Sequence, residues 1–102
     1  MSVLRDPEGR EIRLTDERLN HILEHPEMQG QELRISETLL TPHSIITSYH
    51  DETVDLYHRL YDETPVTRKY LVVVVKYLDR DAFVVTAFFT DKEKKGKRKW
   101  PR

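Results

Sequence analysis

Two histidines stand four residues apart in a segment whose pattern predicts a helix. His21 and His25 therefore share one face of that helix, near Arg18, and this face points away from its apolar positions. Imidazoles titrate near pH 6.5, so such a pair is suited to proton transfer at neutral pH. A zinc-protease site is not indicated, because the segment between them does not form a His-Glu-x-x-His motif. A solvated pair of surface histidines is the alternative.

A second group of candidates comes from the alternation of side chains along predicted strands, because successive residues of a strand point to opposite faces. Placing the more apolar side of each strand against the helices leaves an open face with cations, hydroxyls and aromatic rings. This open face carries Tyr57, Arg59, Tyr61, Lys76, Thr86 and Thr90. Such a set suits phosphate contacts and base stacking, although it is also common on a solvent-facing side of a sheet.

The opposite, helix-packed face is predicted to be apolar. Its members are Leu71, Val73, Val75, Tyr77, Phe83, Val85, Ala87 and Phe89 from the last hairpin, and Val54, Leu56, His58 and Leu60 from the strand before it. The assignment assumes a turn at Asp79-Arg80-Asp81, which places Leu78 opposite Ala82.

The end of the chain is a basic run with one aromatic ring. Residues 92–102 carry seven basic side chains and one acid. Lys95, Lys97 and Trp100 are candidates for nucleic-acid contacts, since lysines neutralise phosphates and an indole stacks on bases. A solubilising, disordered terminus is the alternative.

The elements that must position these residues follow from periodicity and turn signals. A hairpin is predicted around Asp6-Pro7-Glu8-Gly9, and Thr15 is a candidate N-cap for the first helix. The predicted bounds are 3–5 and 10–14 for the hairpin, 15–25 and Glu32–Leu40 for the helices, and 44–49, Val54–Tyr61, Lys69–Leu78 and 82–91 for the strands. This order predicts a single α+β domain, with the hairpin and two helices packed on one face of a four-stranded antiparallel sheet.

Charge is unevenly distributed along the 102 residues, although the formal net charge is only −1. Residues 1–66 hold six basic and fourteen acidic side chains, whereas residues 67–102 hold eleven and four. The whole chain is therefore not a generally basic nucleic-acid binder, and a polyanion would meet its C-terminal part.

Other features narrow the class of protein. The chain has no cysteine, which excludes disulfides and thiolate sites. The longest apolar runs, at 71–75 and 82–85, are far shorter than the roughly 20 residues that span a bilayer. We expect a cytoplasmic protein without a signal peptide or membrane contact.

Several segments together resemble a known family. These are LTDERLNHILEHPE at 14–27, TPHSI at 41–45, LYHR at 56–59, YLVVVVK at 70–76, VVTAFFT at 84–90, and the tail from Lys95-Gly96 to Trp100. They resemble the small phage- and toxin-associated nucleases of the barnase/EndoU/colicin/RelE-like (BECR) group. The resemblance implies a BECR/RelE-like fold with N-terminal helices followed by a curved antiparallel sheet.

The resemblance also implies a chemistry: metal-independent cleavage of RNA, in which the 2′-hydroxyl attacks its own phosphate. Carried onto this chain, His21 matches the helix histidine and is the first candidate for acid–base work. Arg59 and Lys76 would bind the phosphate and Thr86 would hydrogen-bond it, with His25 and Thr90 in supporting roles. Tyr57, Lys95, Lys97 and Trp100 would contact the RNA.

The expected function is thus an RNA endonuclease of the toxin or phage-effector type, with no cofactor and no metal. The alternative is a non-catalytic module of the same fold that binds nucleic acid or a protein partner. RNA is the expected substrate, and an antitoxin or immunity protein is a further expected partner.

Overall fold

The computed structural model describes residues 1–101; Arg102, the last residue of the basic run, lies outside the described residues. Its first element is the predicted hairpin, β1 (Ser2–Arg5) and β2 (Glu11–Leu14), which pair antiparallel. The Asp6 carboxylate accepts hydrogen bonds from the backbone N–H of Glu8 and Arg10, at 3.0 and 2.8 Å. Gly9 has φ +82°, a conformation that glycine adopts without strain.

Two helices follow, α1 (Asp16–Leu23) and α2 (Glu32–Leu40), with a short 3₁₀ turn at Pro26–Met28 between them. Thr15 caps α1 as predicted, since its hydroxyl accepts the Arg18 N–H at 3.2 Å. The helices are amphipathic, and their buried residues, Ile22, Ile35, Thr38 and Leu39, face the core.

The strands form one seven-stranded mixed sheet, so the prediction of a four-stranded antiparallel sheet is wrong, although the α+β class holds. The additional members are the two hairpin strands and a strand in the basic run. The last five strands are β3 (Ser44–Thr47), β4 (Val54–Tyr61), β5 (Lys69–Leu78), β6 (Asp81–Thr90) and β7 (Lys97–Trp100). Their order in the sheet is β1-β2-β6-β5-β4-β3-β7.

The hairpin joins the sheet through a short parallel contact rather than lying over it. Arg13 of β2 is in register with Phe83 of β6, and its guanidinium binds the Asp81 carboxylate through two hydrogen bonds, at 2.9 and 2.5 Å. A paired fork of this kind fixes both position and orientation.

A β-bulge changes which side chains of β6 face the helices. Val74 is opposite Thr86, whereas Val75 is opposite Val84, so Val85 is an extra residue in β6. Beyond the bulge every side chain changes face, and Val84 and Ala82 are buried in the core. The prediction that Phe83 and Val85 face the helices is therefore wrong.

The two faces of the sheet are covered in different ways. The helix-covered face holds Leu71, Val73, Val75, Ala87 and Tyr57, packed with Ile22, Met28, Ile35 and Leu39. The second face holds Leu56, His58, Val72, Val74, Lys76, Thr86, Phe88 and Thr90.

Strand β4 is turned over relative to the prediction. Tyr57 is opposite Val73 and is 1% exposed, so Tyr57 and its same-face neighbours Arg59 and Tyr61 belong to the helix-covered face. His58 lies on the second face, yet it is fully buried. The prediction that Tyr57, Arg59 and Tyr61 share an open face with Lys76 is wrong, because a later segment buries His58 from the other side.

That later segment, residues 91–96, crosses the second face from β6 to the far edge, where β7 pairs antiparallel with β3. The backbone N–H of Lys94 donates to Nε2 of His58 at 3.0 Å, and Ser44 donates to the Glu93 carboxylate. Gly96 passes so close to β3 that a Cβ would lie 2.3 Å from the Thr47 carbonyl oxygen. The basic run thus forms part of the sheet instead of a disordered terminus.

No helix within residues 1–101 has the length and apolar character needed to cross a membrane.

Candidate active site

A small cavity lies where the two ends of the curled sheet approach each other. The β1–β2 turn forms one wall, β7 forms the opposite wall, and β4 lies at the base. Its volume is about 100 Å³, and its lining residues are Asp6, Pro7, Glu8, Arg10, Ile45, Tyr57, Lys99 and Trp100. Polar and charged side chains therefore converge from three parts of the chain that are distant in sequence.

The base of the cavity is a chain of hydrogen bonds that ends on a carboxylate. The Tyr57 hydroxyl donates to Oδ2 of Asp6 at 3.3 Å, and the Tyr77 hydroxyl oxygen lies 2.5 Å from the Tyr57 hydroxyl oxygen. Because a hydroxyl has one proton, Tyr77 donates to Tyr57, which donates to Asp6. Asp6 is 7% exposed.

Burial keeps both phenols protonated. It raises the pKa of Tyr77 to about 12 and the pKa of Tyr57 further, and the neighbouring hydroxyl and carboxylates add to the rise for Tyr57. At neutral pH the two hydroxyls therefore act as hydrogen-bond donors.

Two cations stand beside the tyrosine pair. The Arg10 guanidinium lies 4.8 Å from the centroid of the Tyr77 ring, and Nζ of Lys99 lies 5.0 Å from it. Lys99 also binds the buried carboxylate of Asp55 at 2.7 Å, and Thr47 donates to the same carboxylate at 2.8 Å. The Lys99 side chain is 48% exposed, so Asp55 fixes its position while its ammonium group stays accessible to solvent.

This arrangement can bind an anion and move protons. Arg10 and Lys99 supply positive charge, the hydroxyl of Tyr57 supplies a donor, and Asp6 supplies an acceptor for a proton. Trp100, at the rim, offers an apolar surface for a ring. A volume of about 100 Å³ is small beside the roughly 300–1,000 Å³ of sites that enclose whole ligands, so the cavity can admit a group the size of a phosphate but not a larger molecule.

Of the residues singled out from the sequence, Tyr57 and Trp100 meet in this cavity. Ile45 is in register with both of them, because β3 lies between β4 and β7. Lys97 begins β7 and is exposed at the edge of the sheet.

Arg59 lies elsewhere on the helix-covered face, against α2. Its Nη1 donates to the Thr41 carbonyl at 2.5 Å, and its Nε is 3.4 Å from the Glu37 carboxylate. The Tyr61 hydroxyl donates to the same carboxylate at 2.5 Å. Burial, followed by the bond to Glu37, raises the pKa of Tyr61 to about 12.

Lys76, Thr86 and Thr90 lie on the second face. Nζ of Lys76 binds the Asp51 carboxylate at 2.7 Å. Because the sheet separates Arg59 from Lys76 and Thr86, one phosphate cannot contact all three side chains. Lys95 also lies on this side, in the crossing segment.

The two helix histidines are exposed to solvent. His21 lies 3.5 Å from Glu24 and lines a shallow depression together with Arg18. His25 precedes the 3₁₀ turn. Within the part of the chain that the structure describes, no three His, Asp or Glu side chains converge as a set of metal ligands.

Five residues of the cavity region were not among the site residues predicted from the sequence: Asp6, Arg10, Asp55, Tyr77 and Lys99. Asp6 was identified only as a turn residue, and Lys99 only as part of the basic run. Asp55 did offer a signal, because it shares a strand face with Tyr57 two residues away, and a carboxylate next to a large ring on one face is a candidate for a buried polar contact.

Comparison with known protein families shows which family the chain belongs to. The model of the phage-Barnase-EndoU-ColicinE5/D-RelE like nuclease2 (PBECR2) family matches residues 1–100. The chain belongs to this family. The resemblance inferred from the helix motif and the strand segments is thereby confirmed. Neither a search of curated proteins nor a search of solved structures found a match. The PBECR2 match spans every element that lines the cavity, from the β1–β2 turn to Trp100.

Proposed function

We propose that this PBECR2 protein is an RNA endonuclease, and that its reaction takes place in the cavity between the β1–β2 turn and β7. One observation carries the proposal: the fold brings a hydroxyl, a carboxylate and two cations together around a space that fits a phosphate group. Side chains that bind an anion and exchange protons are the groups that transfer at phosphorus requires.

The roles follow from the contacts. The ribose 2′-oxygen attacks the adjacent phosphorus while its proton passes to Oδ2 of Asp6. Once Oδ2 of Asp6 carries this proton it no longer accepts the Tyr57 hydrogen bond, so the Tyr57 hydroxyl gives its own proton to the 5′-oxygen as the bond from phosphorus to that oxygen breaks. The products are a 2′,3′-cyclic phosphate and a 5′-hydroxyl end. The Asp6–Tyr57 hydrogen bond then returns the proton from the carboxyl group to the tyrosine oxygen.

The remaining groups stabilise charge and position. Arg10 and Lys99 offset the negative charge that grows on the phosphate oxygens in the transition state. Tyr77 orients the Tyr57 oxygen through its 2.5 Å hydrogen bond, and Asp55 holds Lys99 in place. Trp100 stacks against a base that remains outside the cavity.

The test is cleavage of an end-labelled single-stranded RNA by the purified protein, with and without EDTA. Asp6→Asn keeps the oxygen that accepts the turn N–H groups but loses the proton acceptor, and Tyr57→Phe removes the donor. Each should lower the rate by about 10²–10⁴-fold. RNA with a 2′-deoxy sugar at the cut position should resist cleavage. Thermal melts show that the variants are folded.

Three further variants separate this site from the one that the sequence predicts. His21→Ala, Arg59→Ala and Thr86→Ala should retain cleavage if the cavity is the active site. A loss in these three, with Asp6→Asn and Tyr57→Phe fully active, would place the chemistry on α1 or on the sheet face instead. Equal cleavage of the 2′-deoxy substrate would overturn the proposed attack by the 2′-hydroxyl.

A non-catalytic binding module is the second candidate, and the near-complete burial of Tyr57, which is 1% exposed, favours it. Its signature is salt-sensitive RNA binding without turnover. A wild-type protein that binds RNA and releases no 2′,3′-cyclic phosphate would establish this alternative. The protein partner expected from the sequence, an antitoxin or immunity protein, stays a prediction.

A further inference from the structure

A larger groove lies on the second face, away from the cavity. Its volume is about 470 Å³. The β3–β4 loop and the crossing segment 91–96 form its sides. It is lined by Ser48, Tyr49, His50, Leu56, Phe88, Lys94 and Lys95. The groove therefore combines aromatic and aliphatic surface with basic side chains.

The aromatic residues of the groove are presented for contact. Tyr49 is 74% exposed, which is unusual for a large ring that could pack on a nearby apolar surface. Phe88 is half-buried, and Nζ of Lys94 lies 5.4 Å from the centroid of its ring. Exposed rings next to cations are the combination that binds unpaired nucleobases by stacking.

The loop that carries Tyr49 is held by its own hydrogen bonds. The Ser48 hydroxyl accepts the His50 N–H at 3.1 Å, and the Ser48 N–H donates to the Val54 carbonyl at 3.0 Å. Asp51 accepts the Thr53 N–H at 2.9 Å. Because the loop is fixed, binding a ring against Tyr49 does not require the backbone to be ordered first.

The charges around the groove favour a polyanion. The Asp51 carboxylate beside it is paired with Lys76 at 2.7 Å, and the one negative charge of Glu93 is outnumbered by the two positive charges of Lys94 and Lys95. Lys95 forms no ion pair within residues 1–101, so its charge is available to an incoming phosphate.

Strand β7 connects the groove to the cavity. Lys94 and Lys95 line the groove, Lys99 and Trp100 line the cavity, and Lys97 and Arg98 lie between them. At about 3.3 Å per residue, the five steps from Lys95 to Trp100 span roughly 17 Å. A strand of RNA that follows this basic edge would reach both sites over a few nucleotides.

We propose that the second-face groove binds an unpaired base of single-stranded RNA, a few nucleotides along the same strand from the phosphate in the cavity. The proposal rests on the proposed function for the position of that phosphate, while the groove itself is defined by its own contacts. Stacking needs an exposed base face, so a duplex does not fit this site.

The test measures binding apart from cleavage. A fluorescent single-stranded 2′-O-methyl RNA, which has no free 2′-hydroxyl, is titrated with wild-type protein and with Tyr49→Ala, Tyr49→Phe and Lys95→Ala. Removing the Tyr49 ring should raise Kd about tenfold or more, whereas Tyr49→Phe should preserve binding. Lys95→Ala should reduce the slope of log K against log salt by about 0.7. Leu33→Ala and Arg68→Ala, at exposed positions elsewhere, are the matched controls.

The outcomes for the groove and the active site are distinguishable. The groove proposal is overturned if Tyr49→Ala binds the single strand as tightly as the wild type does. It is also overturned if the substitution lowers the affinity for a duplex of the same sequence by the same factor. Both outcomes count whether or not the protein cleaves RNA. If Tyr49→Ala loses binding selectively while the wild type shows no cleavage, the groove stands and the proposed function fails. In an active protein, Tyr49→Ala should raise KM for long RNA and leave kcat unchanged.

Discussion

The hydroxyl oxygens of Tyr57 and Tyr77 lie 2.5 Å apart, on adjacent strands and on the same side of the sheet. Tyr57 also donates to Asp6 of the β1–β2 turn. The pair therefore links the central strands β4 and β5 to the β1–β2 hairpin at one edge of the sheet. The curled shape of the sheet is what allows this contact, and the cavity is its consequence.

The two tyrosines should be coupled in stability. Tyr57→Phe leaves a buried Asp6 oxygen and the Tyr77 hydroxyl without their partner, and should lower the free energy of unfolding by about 1–3 kcal/mol. Tyr77→Phe should lower it by less, because that residue is partly exposed. The double variant should lose less than the sum of the two, as measured by urea unfolding in a double-mutant cycle. Strictly additive losses would show that the hydroxyls do not interact.

Lys99 should matter for folding as well as for charge in the cavity. Lys99→Met keeps the aliphatic stem but leaves the Asp55 carboxylate, which is 2% exposed, with Thr47 as its remaining side-chain partner. We expect a loss of about 1–3 kcal/mol in the free energy of unfolding, measured by urea denaturation. Because Lys99 is half-exposed, water can replace part of its interaction, so the lower half of this range applies.

The matched control for Lys99→Met is a double variant that also removes the charge of the Asp55 carboxylate. Asp55→Asn combined with Lys99→Met should recover much of the lost stability, since no unpaired charge remains buried. RNA cleavage should stay low in this double variant, because the cation at the cavity is still missing. Recovery of cleavage together with stability would contradict the role assigned to Lys99.

Local periodicity was sufficient for most elements of the fold. Helix α2 and strands β4 and β5 have the predicted bounds, since their apolar spacing and flanking turns are distinct. The faces of β4 could not be derived in this way. Both of its alternating sets contain rings, and the choice depends on the segment 91–96, which buries His58 from a distant part of the sequence.

The site was harder to predict than the fold for a related reason. A run of lysines and arginines such as 92–99 lacks the alternating pattern of a strand, so β7 was not foreseen. Its pairing with β3 is what places Lys99 and Trp100 beside Tyr57. Asp6 and Arg10 reach the same place through the single parallel contact of β2 with β6. Contacts of such long sequence separation leave little local signal.

Gly96 should be required for this placement of β7. In Gly96→Ala the new methyl group would lie 2.3 Å from the Thr47 carbonyl oxygen and 2.5 Å from Ile46 Cγ2, so β7 must shift. We expect a loss of about 1–3 kcal/mol in the free energy of unfolding, measured by denaturation, together with weaker RNA cleavage. Gly30→Ala is the control. It places a residue at φ +78° with nothing within 4 Å, so it should cost about 1–2 kcal/mol and leave cleavage unchanged. A fully active Gly96→Ala would show that the position of β7 does not matter to the cavity.

His58 should make stability depend on pH. Nδ1 of His58 donates to the Leu56 carbonyl at 3.0 Å while Nε2 accepts the Lys94 N–H, so the ring is held neutral. Burial lowers the pKa of His58 below 6.5, and this outweighs the opposing effect of the Glu93 carboxylate. The unfolded chain therefore binds a proton more readily than the folded one. The contribution of His58 is complete above pH 6.5 and is lost progressively as the pH falls below that value.

Urea unfolding between pH 7.5 and pH 5 measures this effect. The wild type should become less stable over that interval, and protonation of Nε2 should weaken the attachment of the crossing segment at Lys94. In His58→Gln the amide can take up similar hydrogen bonds but does not titrate, so part of the pH dependence should disappear. His25→Gln, at an exposed position, should keep the wild-type slope. If His58→Gln retains the full slope, the acid sensitivity of the fold arises elsewhere, and the neutral ring of His58 is not what holds the segment to the sheet.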